Sequence, residues 1–492
     1  MRFDRQSGVF LHLTSLPSPH GVGDLGPGAR AFLDFLDRAD QSLWQFCPLG
    51  PTSGAHGHSP YSSFSTFAGN PLLIDLRGLR DRGWLTGDEL DPPETVDPRT
   101  VEYDRVRAFK HDRLETAFER FRSDEPPEAF EAFRERESAW LADFALFAAL
   151  KDEFDGAAWT EWPDRVANRD PDAMAKRRES LTDRVRYHEF VQWVFDEQWH
   201  DLREAAADRG VSLIGDVPMY VALDSADVWA DRDAFALENG RPTAVAGVPP
   251  NPGDDGQRWG TPVYDWAHLE STGYGWWLDR LGRLFDLVDF ARLDHFKGFD
   301  EYWAIPADAT DTGAGEWRPG PGKDFFDAVR ERFGEVPFVA EDLGFVDEGV
   351  LGLRETFDIP GTRVPQYADW CSEYHRYKPA CYPRNCIAYT STHDTDTTVG
   401  YYGDLPEEER DCLEYALGTD GSEIAWDFID AVWNSEASLA MTTVPDLLEY
   451  GSEARFNTPG TATGNWRWRV RPDELSEAVA DRLAAVTAAT LR

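Results

Sequence analysis

The stretch FARLDHFKGF, residues 290–299, places a group of charged residues at the end of an apolar run. The preceding run, DLVDFARLD (286–294), has the apolar character of a buried strand, yet Arg292 and Asp294 lie at its end. Burying a charge is costly unless the charge is paired, so these residues indicate either ion-pair partners or a functional site. Residues two apart on a strand share a face, which predicts that Arg292 and Asp294 point the same way. Lys297 is predicted to be a solvated loop residue.

Similar apolar runs recur along the chain, mostly separated by stretches with helical periodicity, and they predict buried strands of a parallel sheet. The eight runs are GVFLHL (8–13), LWQFCPL (43–49), VSLIGDV (211–217), DLVDFARLD (286–294), VPFVAED (336–342), GTRVPQ (361–366), CIAYTST (386–392) and LAMTTVP (439–445). Eight strands alternating with helices predict an α/β fold, the (β/α)8 TIM barrel. A doubly wound open sheet is the alternative, but no Gly-rich phosphate-binding turn follows any of the runs.

The spacing of the runs predicts one catalytic barrel domain, residues 1–492, that carries large insertions. The second run ends at residue 49 and the third begins at residue 211, an interval far longer than one helix and its loops. Residues 77–209 are therefore predicted to form a mainly helical insertion subdomain, in which Phe and Leu recur at helical spacing. A smaller insertion, residues 222–285, is predicted to carry substrate-binding loops.

The composition limits the partners. The chain has 90 acidic residues against 49 lysines and arginines, a formal net charge of −41. This charge would repel nucleic acid and anionic membranes, and both are excluded as partners. An acidic surface is tolerated in concentrated salt, where a Debye length of about 3 Å near 1 M mutes self-repulsion. The composition therefore predicts a halophilic protein.

The cysteines and the hydropathy pattern indicate the compartment. The five cysteines form neither a C-x-x-C pair nor a zinc-like spacing, and their odd number predicts reduced thiols in a cytosol. The run GVFLHL is too short for the core of a signal peptide, and no window has the length of a transmembrane helix. We therefore expect a soluble, cytoplasmic protein that is a monomer or a weak homo-oligomer.

Acidic residues lie at the ends of three runs, at Asp294, Glu341 and Asp394. In a (β/α)8 barrel the chemistry lies at the carboxyl ends of the strands, where polar residues carry functional weight. Two carboxyl groups in one site suit glycosidic bonds, because one stays charged as nucleophile and the other, with a raised pKa, protonates the leaving oxygen. Each acid alone is also compatible with a salt bridge. A metal site is a further alternative, since His295 and His393 adjoin two of the acids, but without H-x-x-x-H or H-x-H spacing there.

At these residues the sequence resembles the α-amylase clan and, in finer detail, the amylomaltase or 4-α-glucanotransferase (disproportionating enzyme) family. The matching stretches span nearly the whole chain in the order of that family. They are SGVFLHLTSLPSPHGVGDLGPGA (7–29), SPYSSFSTFAGNP (59–71), LIGDVPMYVALDSADVWA (213–230), GQRWGTPVYDW (256–266), ARLDHFKGF (291–299), AEDLG (340–344), STHDTDTT (391–398) and RFNTPGTATGNWRWR (455–469).

The resemblance implies transfer of a segment of an α-1,4-glucan to the 4-hydroxyl of an acceptor sugar, by a retaining double displacement through a covalent glycosyl-enzyme. Asp294 would be the nucleophile, Glu341 the acid/base and Asp394 the stabiliser of the transition state. The substrates would be maltooligosaccharides and glucans of the starch or glycogen type, with no metal or organic cofactor. The residues implied to bind sugar are Ser59, Tyr61, Gln257, Trp259, Arg292, His295, Asp342, His393 and Asn465.

The chain departs from the family pattern at two places. Thr395 stands where the family usually has Asn, and the loop VPPNPGDDGQRWG (248–260) is about one residue shorter and lacks the two aromatic rings that would fold over a glucan. An amylase-like hydrolase is therefore an alternative, favoured if this loop admits water. A glucan-binding protein without catalytic activity is a second alternative. Its behaviour would not change if Glu341 were replaced.

Overall fold

A computed structural model describes residues 3–92, 96–251 and 255–492 of the chain. The strands are β1 (Gln6–Phe10), β2 (Leu43–Gln45), β3 (Ser212–Val217), β4 (Leu237–Glu238), β5 (Arg241–Pro242), β6 (Ala244–Val248), β7 (Gln257–Pro262), β8 (Phe290–Leu293), β9 (Glu301–Pro306), β10 (Glu316–Pro319), β11 (Phe338–Ala340), β12 (Gly361–Arg363), β13 (Cys386–Tyr389) and β14 (Leu439–Thr443).

Helices separate most of the strands. They are α1 (Pro27–Arg38), α2 (Leu76–Asp81), α3 (Tyr103–Phe121), α4 (Glu128–Arg136), α5 (Ser138–Glu153), α6 (Asp164–Ala167), α7 (Pro171–Ser180), α8 (Thr182–Ala207), α9 (Ala226–Ala230), α10 (Trp266–Ser271), α11 (Gly275–Leu287), α12 (Gly322–Phe333), α13 (Glu348–Thr356), α14 (Thr398–Asp404), α15 (Glu407–Leu417), α16 (Ile424–Asn434), α17 (Val444–Leu447) and α18 (Glu477–Thr490).

Within the described residues, eight parallel strands close into a barrel in the order β1-β14-β13-β12-β11-β8-β3-β2. Seven of the eight apolar runs contain one of these strands and the first run overlaps β1, so the prediction of a (β/α)8 barrel is confirmed. Strands buried on both faces are apolar at nearly every position, which explains why the runs are visible in the sequence.

The interior of the barrel changes from apolar to polar along the strands. A cluster of fully buried residues that includes Ile214 and Ile387 fills the interior. Two residues further along the same strands, on the same face, lie Asp216 and Tyr389. Polar side chains therefore converge at the carboxyl ends of the strands.

The long intervals fold as additions to the barrel. Helices α2 to α8 lie between β2 and β3 in the chain, and α8 packs along α5. Outside the barrel, strands β6 and β7 pair with β9 and β10 in a four-stranded sheet of order β10-β9-β6-β7. This sheet combines segments that precede and follow β8. The division of the chain into one domain with insertions at 77–209 and 222–285 stays a prediction.

The prediction that all cysteines are reduced is wrong for one pair. Cys371 and Cys412 form a disulfide with their Cα atoms 5.1 Å apart, while Cys47, Cys381 and Cys386 are free thiols. The pair is 41 residues apart in the chain, and only the packing of α15 against the segment after β12 brings the two sulfurs together. Across the described residues, the helices are all too short or too polar to cross a membrane.

Candidate active site

The side chain of Arg292 joins two carboxylates at the carboxyl end of the barrel. Its Nη1 donates to Asp216 Oδ2 at 2.7 Å, to Asp216 Oδ1 at 2.9 Å and to Asp294 Oδ1 at 2.9 Å. Asp216 is fully buried, whereas 27% of the Asp294 side chain is exposed. The exposed carboxylate therefore faces the barrel mouth and the buried one supports the arginine from below.

Glu341 lies beside Asp294 because β11 pairs with β8. The Glu341 N–H donates to Leu293 O at 3.0 Å, which places the carboxylate next to the end of β8. Its Oε2 accepts from the His295 N–H and its Oε1 from the Leu343 N–H, each at 2.9 Å. Burial, aided by the charge of Asp294 and opposed by Arg292, raises the pKa of Glu341 to about 8. This carboxyl group therefore holds its proton at neutral pH.

The third acid lies in the loop after β13. Asp394 Oδ1 accepts from Asn457 Nδ2 at 2.6 Å, and its Oδ2 lies 3.1 Å from His393 Nε2. Burial acts to raise the pKa of Asp394, but His393, Asn457 and Arg292 outweigh it and hold the pKa well below its usual range. Beneath this loop, buried Asp446 accepts from the hydroxyls of Thr390 and Ser391 at 2.6 and 2.5 Å. Asp394 is therefore charged and held by several partners.

Tyr61 connects the loop after β2 to Asp216 and to His393. Its hydroxyl donates to Asp216 Oδ2 at 2.8 Å and lies 2.8 Å from His393 Nε2. The Tyr61 ring stacks on His393 with centroids 5.2 Å apart. Ser59 supports this turn, because its Oγ accepts from the Tyr61 N–H at 3.3 Å. The structure thus brings Tyr61 and His393 to the carboxylates.

Gln257 and Trp259 approach the site on β7. Trp259 Nε1 donates to Gln257 Oε1 at 2.8 Å, and the indole lies edge-on to His295 at 4.9 Å, with 38% of Trp259 exposed. Burial lowers the pKa of His295 to about 4, against the effect of Asp294, so the imidazole is neutral at pH 7. The backbone of His295 is left-handed, with φ 50°. This turn directs its N–H to Glu341.

Two predicted sugar-binding residues have other surroundings. Asp342 is fully buried, accepts from the Thr362 N–H at 2.6 Å and pairs with Arg354 at 3.1 Å, and its role as a sugar ligand stays a prediction. Successive residues on an extended segment point to opposite sides, which turns Asp342 away from the site that Glu341 faces. The Asn465 side chain instead braces its own loop, where its Oδ1 accepts from the Thr458 N–H at 3.0 Å.

The two departures from the family pattern have different outcomes. Thr395 Oγ1 accepts from the Thr392 N–H at 2.9 Å and so braces the loop that carries Asp394. Residues 252–254, in the shortened loop 248–260, lie outside the described residues.

Sequence reasoning missed three residues at the site. Asp216 and Asn457 lie within matched stretches but were not singled out, although an acid at the end of the apolar run LIGDV was a usable signal. Tyr367, in the loop after β12, is 47% exposed and close enough to Glu341 and Asp394 that their charges act on its hydroxyl. Partial desolvation of its hydroxyl, followed by these charges, raises the pKa of Tyr367, and no spacing rule pointed to this residue.

Lys297 is buried, so its prediction as a solvated residue is wrong. Its Nζ lies 2.7 Å from Asp347 Oδ2, with Asp300 and Glu301 at 3.4 and 3.5 Å. Asp347 also caps the N-terminus of α13. Lys297 therefore ties the loop after β8, which carries Asp294, to the loop after β11, which carries Glu341.

A (β/α)8 barrel with three carboxylates grouped at its carboxyl end defines an enzyme that acts on glycosidic bonds. The family model described as 4-alpha-glucanotransferase matches residues 11–475. The chain is 44% identical to the 4-alpha-glucanotransferase of Thermus thermophilus over 100% of both chains, and 42% identical to that of Synechocystis sp. over 98% of this chain and 97% of the relative. A solved structure, amylomaltase from Streptococcus agalactiae in complex with acarbose, is 35% identical with a TM-score of 0.96 over 99% of both chains.

The chain therefore belongs to the 4-alpha-glucanotransferase family. Its reaction is the transfer of a segment of an α-1,4-glucan to the 4-hydroxyl of an acceptor glucose or glucan.

The substitution Lys297→Met removes the charge that pairs with Asp347 but keeps a side chain of similar length. We expect kcat for glucan transfer to fall about tenfold with KM little changed, because small displacements of catalytic groups are costly. The measurement is initial-rate kinetics on maltotriose. Lys297→Arg should recover most of the rate, and the exposed Lys323→Met is the matched control. A lower melting temperature with normal kcat would show that Lys297 serves stability alone.

Proposed function

We propose that Asp294, Glu341 and Asp394 are the nucleophile, the acid/base and the transition-state stabiliser of a retaining glucan transfer. The observation that carries this proposal is the contrast between two neighbouring carboxyl groups. Asp294 accepts from Arg292 Nη1 at 2.9 Å and has 27% of its side chain exposed at the barrel mouth, whereas Glu341 has a pKa raised to about 8 and holds a proton. One group is suited to attack and the other to proton donation.

In the first half of the proposed reaction, Asp294 attacks C1 of the glucose unit at the cleaved bond. The C1–O bond breaks while Glu341 gives its proton to the leaving oxygen, and the reducing-end fragment departs with a free 4-hydroxyl. In the second half, Glu341 takes the proton of an acceptor 4-hydroxyl, whose oxygen attacks C1 and releases Asp294. Each turnover returns Glu341 to its protonated form and consumes no water.

Asp394 acts on the charge that develops between these steps. Its bonds to His393 and Asn457 keep it charged in a site where positive charge grows on the sugar ring. Trp259 and Tyr367 offer partly exposed rings at the rim of the site, which suit the apolar faces of glucose units. We propose maltooligosaccharides and starch- or glycogen-type glucans as donors and acceptors, with the acceptor site holding water away from the intermediate.

The substitution Glu341→Gln keeps the shape of the side chain but removes the proton that leaves with the first product. We expect the rate of maltotriose conversion to fall at least about 100-fold. The parent enzyme should produce glucose together with a ladder of longer maltooligosaccharides, measured by chromatography. The matched control is Glu335→Gln at an exposed surface position. Reducing ends without longer products would identify a hydrolase instead, and full activity of Glu341→Gln would exclude its proposed role.

The pKa of Glu341 sets a limit at alkaline pH. Glu341 is protonated below its pKa of about 8 and loses the proton above it, so kcat/KM on maltotriose should fall about tenfold per pH unit beyond that value. The measurement is a pH–rate profile at low substrate concentration. A rate that already falls with rising pH near the ordinary pKa of glutamate, about 4.3, would contradict the assignment of Glu341 as the acid.

We also propose that this enzyme works in a salt-rich compartment that is not strongly reducing. The net charge of −41 supports the first part of this proposal, and the Cys371–Cys412 disulfide supports the second. The melting temperature should rise between about 0.1 M and about 1 M KCl, a range in which the Debye length falls from about 10 to about 3 Å. Calorimetry over a KCl series measures it. A melting temperature that is constant or falls with salt would remove the support for a halophilic enzyme.

A further inference from the structure

A large cavity, open to solvent on one side, lies between the insertion helices and the barrel helices. It has a volume of about 610 Å³ and is lined by residues of α5, α9, α10 and α11 together with the loop after β2. Its walls come from residues other than those proposed to bind the glucan at the catalytic centre. A cavity of this volume is in the range of binding sites for small molecules.

Aromatic rings form part of the wall. Phe67 lies between Trp140 and Trp276, 6.3 Å from each by ring centroids, nearly parallel to the first and perpendicular to the second. All three side chains are partly exposed. The buried Nε1 of Trp276 has no hydrogen-bond partner among the described residues. The wall thus offers flat apolar faces to a ligand.

Carboxylates supply the polar part of the wall. Asp231, Asp233 and Asp279 are exposed toward solvent at the cavity, while Asp143 is paired with Arg169 at 2.8 Å. The Asp231 side chain reaches solvent, but partial desolvation by the cavity wall raises the pKa of Asp231, and the nearby charges of Asp143 and Asp279 add to this effect while Arg169 opposes it. The acids are therefore close enough to repel one another and have hydrogen-bonding capacity to spare.

This combination suits a hydroxyl-rich ligand and disfavours an anion. The excess of carboxylates repels anions. A metal ion needs several ligand atoms close together. Among the described residues, three potential ligand side chains with their atoms within 4.8 Å of one another occur at Asp300, Glu301 and Asp347, which lie outside this cavity. The cavity acids are thus spread too widely for one metal ion, but they can accept from separate hydroxyls of a sugar whose apolar faces lie on the aromatic rings.

We propose that this cavity is a second glucan-binding site, which holds a short segment of a long α-glucan away from the catalytic centre. The class of ligand rests on the transfer reaction of the family. A glucan bound at a second point is retained at a high effective concentration near the catalytic centre. A trisaccharide bound at the catalytic centre gains nothing from the cavity. The site therefore acts on long substrates alone.

The first experiment separates long from short substrates. The double substitution Asp231→Ala and Asp279→Ala should raise KM for amylose about fivefold or more and leave kcat and KM for maltotriose unchanged. The loss of two mutually repelling carboxylates should not lower the melting temperature. The control, Glu331→Ala with Asp411→Ala, makes the same change in charge at exposed positions elsewhere. Equal KM values for amylose in parent and variant would overturn the proposal.

The second experiment counts sites directly. Titration calorimetry of the Glu341→Gln enzyme with maltoheptaose should show two binding events, of which one is lost when Asp279→Arg places a long side chain in the cavity. A single event in both proteins would overturn the proposal, as would Ca²⁺ binding that Asp279→Arg abolishes without any effect on maltoheptaose. The amylose comparison does not depend on the proposed role of Glu341. An active Glu341→Gln enzyme would refute that role and leave the amylose comparison intact.

Discussion

The catalytic centre depends on the ion pairs that the buried guanidinium of Arg292 forms with Asp216 and Asp294. A charge in this position is tolerated because two carboxylates share its Nη1. Asp216 contributes the buried half of this arrangement, and burial raises the pKa of Asp216 to about 6, against the effect of Arg292. Asp216 lies on β3 and Arg292 on the neighbouring strand β8. The register between two strands of the barrel therefore sets the position of Asp294.

The other groups reach the same point through backbone and ring contacts. Tyr61 joins Asp216 to His393, and His393 in turn contacts Asp394. Glu341 is oriented by two backbone N–H groups, one of which belongs to the residue after Asp294. Glu341 is thus held by the main chain, whereas Asp294 and Asp394 are held by the side chains of Arg292 and His393. Such preorganisation lets neighbouring acids differ in protonation state.

Much of this arrangement could be predicted from the sequence, because the rules involved are local. All eight barrel strands were recognised as apolar runs, since strands covered on both faces must be apolar. The acids Asp294, Glu341 and Asp394 were found because each follows such a run. The error at Lys297 concerns a residue whose partner comes from a distant part of the chain. Lys297 pairs with Asp347, a residue 50 positions away.

The sequence by itself determined the fold class and the family, because continuous apolar runs and motifs in fixed order need no knowledge of long-range contacts. Tertiary structure alone decided which acid is protonated, since the pKa of Glu341 depends on burial and on the closeness of Asp294 and Arg292. It also decided the disulfide between Cys371 and Cys412 and the cavity beside Trp140 and Trp276. Burial and distance arise only when separate segments pack together, and no local pattern of residues encodes them.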